Sequence, residues 1–244
     1  MARPIRSGRP RGGILPNFTS AIVVAAGAGV RLGGRVPKAL VPLAGRPMLL
    51  WSVEALRASD RVDEIVVLAP AGREDEVREA LGPLRPDERV TAGGASRAES
   101  VREGVRAVSV RAARILVHDA ARPLVSPALI EAVLAAMEGV DGTIAAAPVP
   151  DTLKRATADE RIAGTVDRAG LWGAQTPQAF WAAPLRAAIT AAEAQGRLAD
   201  ATDCASLIEA VGGAVRLVAS LEPNLKVTTA ADVRLAAALL TARQ

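Results

Sequence analysis

The run Ala21-Ile22-Val23-Val24-Ala25-Ala26-Gly27-Ala28-Gly29-Val30-Arg31-Leu32-Gly33-Gly34-Arg35-Val36-Pro37-Lys38 decides the reading of the fold. Ala21 to Ala25 is a short, continuously apolar stretch, as in a buried strand. Glycines follow at once, and they let the backbone approach a ligand closely and turn its N–H groups toward phosphate. Two familiar glycine templates fail in detail. The dinucleotide pattern G-x-G-x-x-G meets Leu32 where its third glycine belongs, and the Walker A pattern, which ends in Gly-Lys-Ser/Thr, meets Gly33-Gly34-Arg35. What remains is a glycine loop bracketed by two cations, Arg31 and Lys38. That arrangement suits phosphoryl chemistry, where catalysis is mainly positioning and stabilisation of negative charge.

Outward from the loop, short apolar runs alternate with helical patterns, the signature of βαβ units. A helix is expected from Pro47, with Leu49, Leu50, Val53 and Leu56 on one face, then a strand over Glu64 to Ala69. A short polar helix over Arg73 to Leu81 and a brief strand near Arg89 to Thr91 come next. Ser96, with Glu99 three residues on, reads as a capping box for a helix running to about Val108. Arg114 to His118 is a buried strand ending in Asp119, Ser126-Pro127 opens a helix, and Gly142 to Val149 returns as a strand. The rhythm breaks over 150–170, which is polar, has β-like pieces and has no room for a crossover helix, so it reads as a protruding hairpin arm. Helices over Ala183 to Gln195 and Asp203 to Val211, a strand over Val215 to Ala219 and a helix from Ala230 complete the chain. The expected fold is α/β: a Rossmann-like open, mainly parallel sheet with helices on both faces and one arm. Residues 19–244 form one domain in this reading.

Composition sets the outer limits. Of 244 residues, half are hydrophobic, with two Phe, three Trp and no Tyr, so the core is built from Ala, Val and Leu and base stacking is not a general strategy. The sequence pI near 10.1 invites a nucleic-acid reading. Yet Arg3, Arg6, Arg9 and Arg11 account for the whole formal charge of +4. The basicity therefore belongs to a Gly-, Pro- and Arg-rich extension over 1–18, too poor in apolar surface to offset its ordering entropy. One cysteine, Cys204, excludes an intrachain disulfide, and one histidine makes a His-ligated metal site improbable. No apolar stretch approaches the ~20 residues of a membrane span, and Ile14-Leu15-Pro16 is too short for a signal-peptide core. A cytoplasmic location is the expectation.

Six further segments, with the loop, closely resemble the 2-C-methyl-D-erythritol 4-phosphate cytidylyltransferase family. They are Gly93 to Val101 (GGASRAESV), Val117 to Pro123 (VHDAARP), Ala147 to Lys154 (APVPDTLK), Thr165 to Arg168 (TVDR), Leu171 to Gln178 (LWGAQTPQ) and Asn224 to Thr228 (NLKVT). The resemblance runs from about Ser20 to the C-terminus and implies transfer of a cytidylyl group from CTP to a polyol phosphate. By resemblance, the backbone of Ala25, Ala26, Gly27 and Gly29 cradles the triphosphate, and Arg31, Lys38 and Lys226 are catalytic cations. Gly93, Gly94, Arg97 and Ser100 match the cytosine-recognition segment, and Asp119 and Ala120 the nucleotide site. Asp119 could meet ribose, polyol or, through water, Mg²⁺, which CTP phosphates would mainly hold. Arg122, Thr176 and Thr202 are implied contacts to the polyol phosphate. So are Thr152 and Arg168 on the arm, which the family extends to a second subunit of a homodimer. A lone hairpin is marginal in water, which favours such a contact. His118 reads as a hydrogen-bonded structural residue. One departure stands out: Cys204 lies where the family commonly has Glu, and a thiol cannot make a carboxylate's hydrogen bonds.

Three other readings compete. Ribitol-5-phosphate cytidylyltransferases share the fold and most motifs, differing at the arm and polyol pocket. An NAD-dependent oxidoreductase is disfavoured by Leu32 and by the apolar end of the second strand, Val67-Leu68-Ala69, where an acid for ribose is needed. A nucleic-acid-binding module rests on the extension alone, and neither nucleic acid nor membrane is expected as a partner.

Overall fold

The computed structural model describes residues 15–27 and 36–243. Gly29, Arg31 and the four arginines of the N-terminal extension lie outside the described residues. In chain order the first half contains β1 (Leu15–Val24), β2 (Pro42–Leu43), β3 (Arg46–Pro47), α1 (Met48–Ala58), β4 (Glu64–Ala69), α2 (Glu74–Leu81), β5 (Glu88–Ala92), α3 (Arg97–Ala107) and β6 (Ala112–Asp119). The second half contains α4 (Pro127–Ala135), β7 (Gly142–Pro148), β8 (Leu153–Ala156), β9 (Ile162–Val166), β10 (Trp172–Trp181), α5 (Ala182–Ala194), α6 (Cys204–Ala210), β11 (Val215–Ala219) and α7 (Ala230–Thr241).

Seven strands form one sheet in the order β11-β7-β10-β6-β1-β4-β5. All neighbours are parallel except β10, which runs antiparallel to both β6 and β7. The chain winds outward from β1 to β4 and β5, then returns through α3 to place β6 on the other side of β1. That reversal makes the carboxyl ends of β1 and β6 the switch point, where open α/β sheets leave a crevice for ligands.

Strand alternation assigns the two faces. Ala21, Val23, Ile65, Val67 and Leu116 pack with α1, α2 and α4 in one core cluster. Ile22, Val66, Leu68, Ile115 and Val117 pack with α3, α5 and α6 in the other. A smaller cluster joins Leu43, Leu124 and Val227 to α7, and so holds the segment before that helix against the body.

Beyond shifts of a residue or two at element ends, three differences from the sequence reading matter. β1 starts at Leu15, whose Cα pairs with that of Ala112, and Phe18 is buried beneath the Arg111 guanidinium. Residues 15–18 therefore belong to the sheet and not to the extension; Pro16 and Asn17 break the apolar run that would have marked them. Pro47 stands at the N-cap of α1 and not at its first helical position. The third difference is β10, a ten-residue strand through the middle of the sheet that periodicity does not reveal. Its register on β7 slips between Ala174 and Gln178, so Gln175, Thr176 and Pro177 bow out of the ladder. Proline has no N–H to donate, which accounts for a break at this place.

The arm is a two-stranded hairpin of β8 and β9, separate from the main sheet and largely exposed. Its turn is tied by Thr157, whose N–H donates to the Arg161 carbonyl at 2.8 Å.

Candidate active site

Four segments meet at the switch point. Beyond β1 the chain continues the ladder, with the Ala25 N–H donating to the Leu68 carbonyl at 3.0 Å, and then opens at Ala26 and Gly27. Lys38 follows on a single 3₁₀ turn whose start, Pro37, is non-helical; the Lys38 N–H donates to the Gly27 carbonyl at 3.4 Å and closes the loop's base. Beyond β5, Gly93 and Gly94 admit no side chain. A Cβ on Gly93 would lie 2.6 Å from the Ala26 Cβ, and one on Gly94 would lie 2.4 Å from the Glu99 Cβ. Close approach of the loop after β1 requires glycine at 93, and the first turn of α3 requires it at 94.

The expected capping box is present at the start of α3. The Ser96 hydroxyl accepts from the Glu99 N–H at 3.1 Å, and the Glu99 carboxylate accepts from the Ser96 N–H at 2.9 Å. One turn on, the buried Ser100 hydroxyl donates to the Ser96 carbonyl at 2.8 Å and accepts from the Gly94 N–H at 3.1 Å. A hydroxyl has two lone pairs, so one acceptor position of Ser100 is left for a ligand.

Asp119, at the end of β6, is the centre of the charge distribution. Arg97 Nε donates to its Oδ1 at 2.9 Å, and Lys226 Nζ to its Oδ2 at 2.7 Å. Burial alone pushes a carboxyl up, but Arg97 and Lys226 outweigh it and hold Asp119 well below the carboxylate range. Asp119 is thus an anion at neutral pH. Beneath it, the Asp119 N–H donates to the Thr176 hydroxyl at 3.0 Å, and that hydroxyl lies 3.1 Å from His118 Nδ1. His118 Nε2 lies 3.2 Å from the Arg122 carbonyl, which can only accept. The network therefore assigns the proton to Nε2, leaving Nδ1 to accept from Thr176. Burial lowers the imidazole to about 4, so it is neutral and structural.

Ten of the expected residues, Ala25, Ala26, Gly27, Lys38, Gly94, Arg97, Ser100, Asp119, Ala120 and Lys226, line one cavity of about 460 Å³. That size is ordinary for a small-molecule site. Gly93 is not on that wall but packs against two residues that are, Ala26 and Ser100. Thr176 is buried with its hydroxyl engaged inward, and Arg122 is half-buried, with Nη1 donating to the Asn224 carbonyl at 2.7 Å. Thr152, Arg168 and Thr202 are exposed and stand outside the cavity wall; Arg168 donates to the Pro150 carbonyl within the arm. Ser96, Ala121 and Thr228 also line the cavity and were not singled out from sequence. Each lies inside a quoted segment, but nothing in a small residue's type announces that it faces a ligand.

Cys204 lies against Arg97, with Sγ 3.9 Å from Nη1, and burial raises its thiol to about 11 despite the pull of that cation. The thiol is neutral, so among the described residues Asp119 is the carboxylate paired with Arg97. The α6 cap is intact without an acid at position 204, because Asp203 accepts from the Ser206 N–H at 2.9 Å.

No group of three His, Cys, Asp or Glu side chains among the described residues could hold a metal ion. Among the described residues Asp119 is the one carboxylate on the cavity wall, and both its oxygens already accept from cations. This donor set does not fit an all-protein cage. It does fit Mg²⁺ that keeps phosphate and water ligands, as that reluctantly dehydrated ion prefers.

Comparison with known proteins points the same way. The family model for IspD, 2-C-methyl-D-erythritol 4-phosphate cytidylyltransferase, matches residues 19–242. A protein of that name from Frankia casuarinae is 47% identical over 222 residues, covering 91% of this chain and 80% of the relative. One from Dechloromonas aromatica is 45% identical, covering 92% and 98%. The crystal structure of the 4-diphosphocytidyl-2C-methyl-D-erythritol synthase from Anaerococcus prevotii superposes with a TM-score of 0.81 at 27% identity, over 93% of this chain and 97% of that one. The 2-C-methyl-D-erythritol 4-phosphate cytidylyltransferase of Thermus thermophilus gives 0.75 at 33% identity, over 91% and 98%.

Proposed function

The chain belongs to the 2-C-methyl-D-erythritol 4-phosphate cytidylyltransferase family, and from that premise we propose how its cavity performs the transfer. It is a nucleotidyltransferase that moves the cytidylyl group of CTP to 2-C-methyl-D-erythritol 4-phosphate, in the non-mevalonate route to isoprenoids. An acceptor phosphate oxygen bonds to the α-phosphorus, the bond to the β-phosphate breaks, and pyrophosphate leaves with the electron pair. A phosphate monoester with a second pKa near ~6 is already largely a dianion at neutral pH, so no general base is needed. The neutral His118 agrees with that.

What the reaction needs is relief of repulsion between two polyanions. The observation that carries this reading is the cluster of Arg97, Asp119 and Lys226 in the same cavity as Lys38, at the switch point of the sheet. Lys38 and the backbone of Ala25, Ala26 and Gly27 take the triphosphate. Arg31 and Gly29 are assigned to the same task by sequence match. Asp119 fixes Arg97 and Lys226 in place, and Lys226 faces the transferring phosphate. Gly93 and Gly94 leave room for a pyrimidine edge, and the free lone pair of Ser100 accepts from the cytosine amine. Ala120 borders the nucleotide. Mg²⁺ bound with CTP supplies further charge neutralisation, with Asp119 the nearest carboxylate.

The polyol phosphate is assigned to Arg122, Thr176 and Thr202, joined by Thr152 and Arg168 from the arm of a second subunit. Ile162, Leu171 and Trp172, on the arm and at its root, are exposed apolar residues that support a homodimer covering them. No helix among the described residues is long and apolar enough to cross a membrane. A cytoplasmic location, where CTP is made, completes the proposal.

Lys38→Ala tests the assignment of the cavity. Turnover, read as pyrophosphate release from CTP, is expected to fall by about two or more orders of magnitude, with the melting temperature nearly unchanged. Near-normal turnover would show that the chemistry happens elsewhere.

A further inference from the structure

Lys226 lies in a stretch, residues 220–229, that belongs to no helix or strand. A lysine has a flexible four-carbon stem, so a backbone of this kind will not aim its ammonium unless something else fixes the chain. Two attachments flank it. Val227 is fully buried, and its N–H donates to the Ala121 carbonyl at 2.8 Å. Asn224 is the other, and it is 4% exposed.

Asn224 is held from both its main chain and its side chain. Its carbonyl accepts from Arg122 Nη1 at 2.7 Å. Its Nδ2 donates twice, to Gln175 Oε1 and to the Thr176 carbonyl, each at 2.9 Å. The Thr176 carbonyl lies in the part of β10 that has left the ladder on β7. Asn224 thus meets an acceptor that the sheet does not use. Thr176 in turn receives the Asp119 N–H through its hydroxyl, and the Asp119 carboxylate receives Lys226 at 2.7 Å. The contacts close a ring: Asn224 to Thr176, Thr176 to Asp119, Asp119 to Lys226, and Lys226 back along two residues of chain to Asn224.

We propose that Asn224 is a positioning residue for the transfer reaction, setting Lys226 against Asp119 and the transferring phosphate through the two hydrogen bonds it donates to Gln175 and Thr176. Residue type supports this. An ionised Asp donates nothing and a Ser has one proton to give, whereas an amide nitrogen carries two. Asn224 Oδ1, though buried, meets no donor among the described residues. Burying an acceptor without a partner costs stability. The residue is therefore used for its two donors, at a cost that an apolar plug of similar size would avoid.

The inference rests on Lys226 acting on the phosphate, so the test is a double-mutant cycle in the full-length enzyme. Asn224→Ala is compared with Lys226→Met and with the double variant, reading kcat, KM for CTP and melting temperature. Asn224→Ala is expected to lower kcat by about tenfold to a hundredfold, the usual penalty for misplacing a catalytic group by an ångström, with a smaller effect on KM. In the Lys226→Met background the same change is expected to alter kcat less than about twofold, because the group it positions has gone. The drop in melting temperature should be alike in both backgrounds. An equal loss of kcat in both would overturn the inference and leave the Lys226 assignment standing. Near-wild-type kcat in Lys226→Met would instead overturn that assignment, and the inference with it. If Asn224→Ala does not fold, Gln175→Leu removes one of the two acceptors, and the same cycle applies with a smaller expected effect in the same direction.

Discussion

His118 is the sole histidine of the chain, and burial lowers it to about 4 in the folded protein. Unfolded, it titrates near the ordinary 6.5. Between those values the unfolded chain binds a proton that the folded one refuses. Stability is therefore complete above pH 6.5 and is lost as pH falls from there toward 4, to a ceiling of about 3 kcal/mol. Denaturant titrations of wild type and His118→Asn from pH 7.5 to 5 should show this slope in the wild type alone. A flat wild-type profile would mean that His118 is not buried neutral. Asp119 acts in the same direction at lower pH: the stability from its depressed carboxyl is present above the ordinary carboxylate range and is lost only in stronger acid. Lys38 is legible as a cation closing the glycine loop and Asp119 as an acid at a strand's carboxyl end, whereas Arg97 and Lys226 are identified through the family segments that contain them. Asn224 was not picked. Its importance depends on a carbonyl freed by a bulge in a distant strand, and no local pattern encodes that meeting.

Among the elements, those with strong local signals agree with the sequence reading almost residue for residue. β4 and β11 have the expected ends, and α3 begins where Ser96 and Glu99 said it would. The α3 cap also tests how the site is held. Ser96→Ala removes the acceptor for the Glu99 N–H and should cost about 1 kcal/mol. Because the Ser96 carbonyl also holds Ser100, CTP affinity is expected to fall along with the melting temperature. Loss of stability with unchanged affinity would separate the cap from the base pocket. β10 was illegible for the opposite reason. Gly173 and Pro177 interrupt its pattern, and what makes it a strand is pairing with β6 and β7 on either side. Tertiary pairing overrode local preference there.

For the whole molecule, the question is where the arm goes. Arg168 and Thr152 are exposed and away from the cavity of their own chain, and the proposal is that they serve a second subunit. A dimer formed from an Arg168→Ala chain and a Lys38→Ala chain then contains one site with both residues intact. Activity should return to about one competent site per mixed dimer, while either parent alone stays slow. No recovery on mixing would mean that each arm serves its own chain. Choice of acceptor belongs to this scale too, since the polyol phosphate is assigned to Arg122, Thr176 and Thr202 together with the arm of a second subunit, and not to the triphosphate loop. Phosphorus NMR of the purified protein with CTP and 2-C-methyl-D-erythritol 4-phosphate addresses it directly. A new pair of coupled diphosphate resonances is expected together with an equal amount of pyrophosphate, and little product when ribitol 5-phosphate is the acceptor. Turnover of CTP with ribitol 5-phosphate alone, or none with either, would contradict the proposed function.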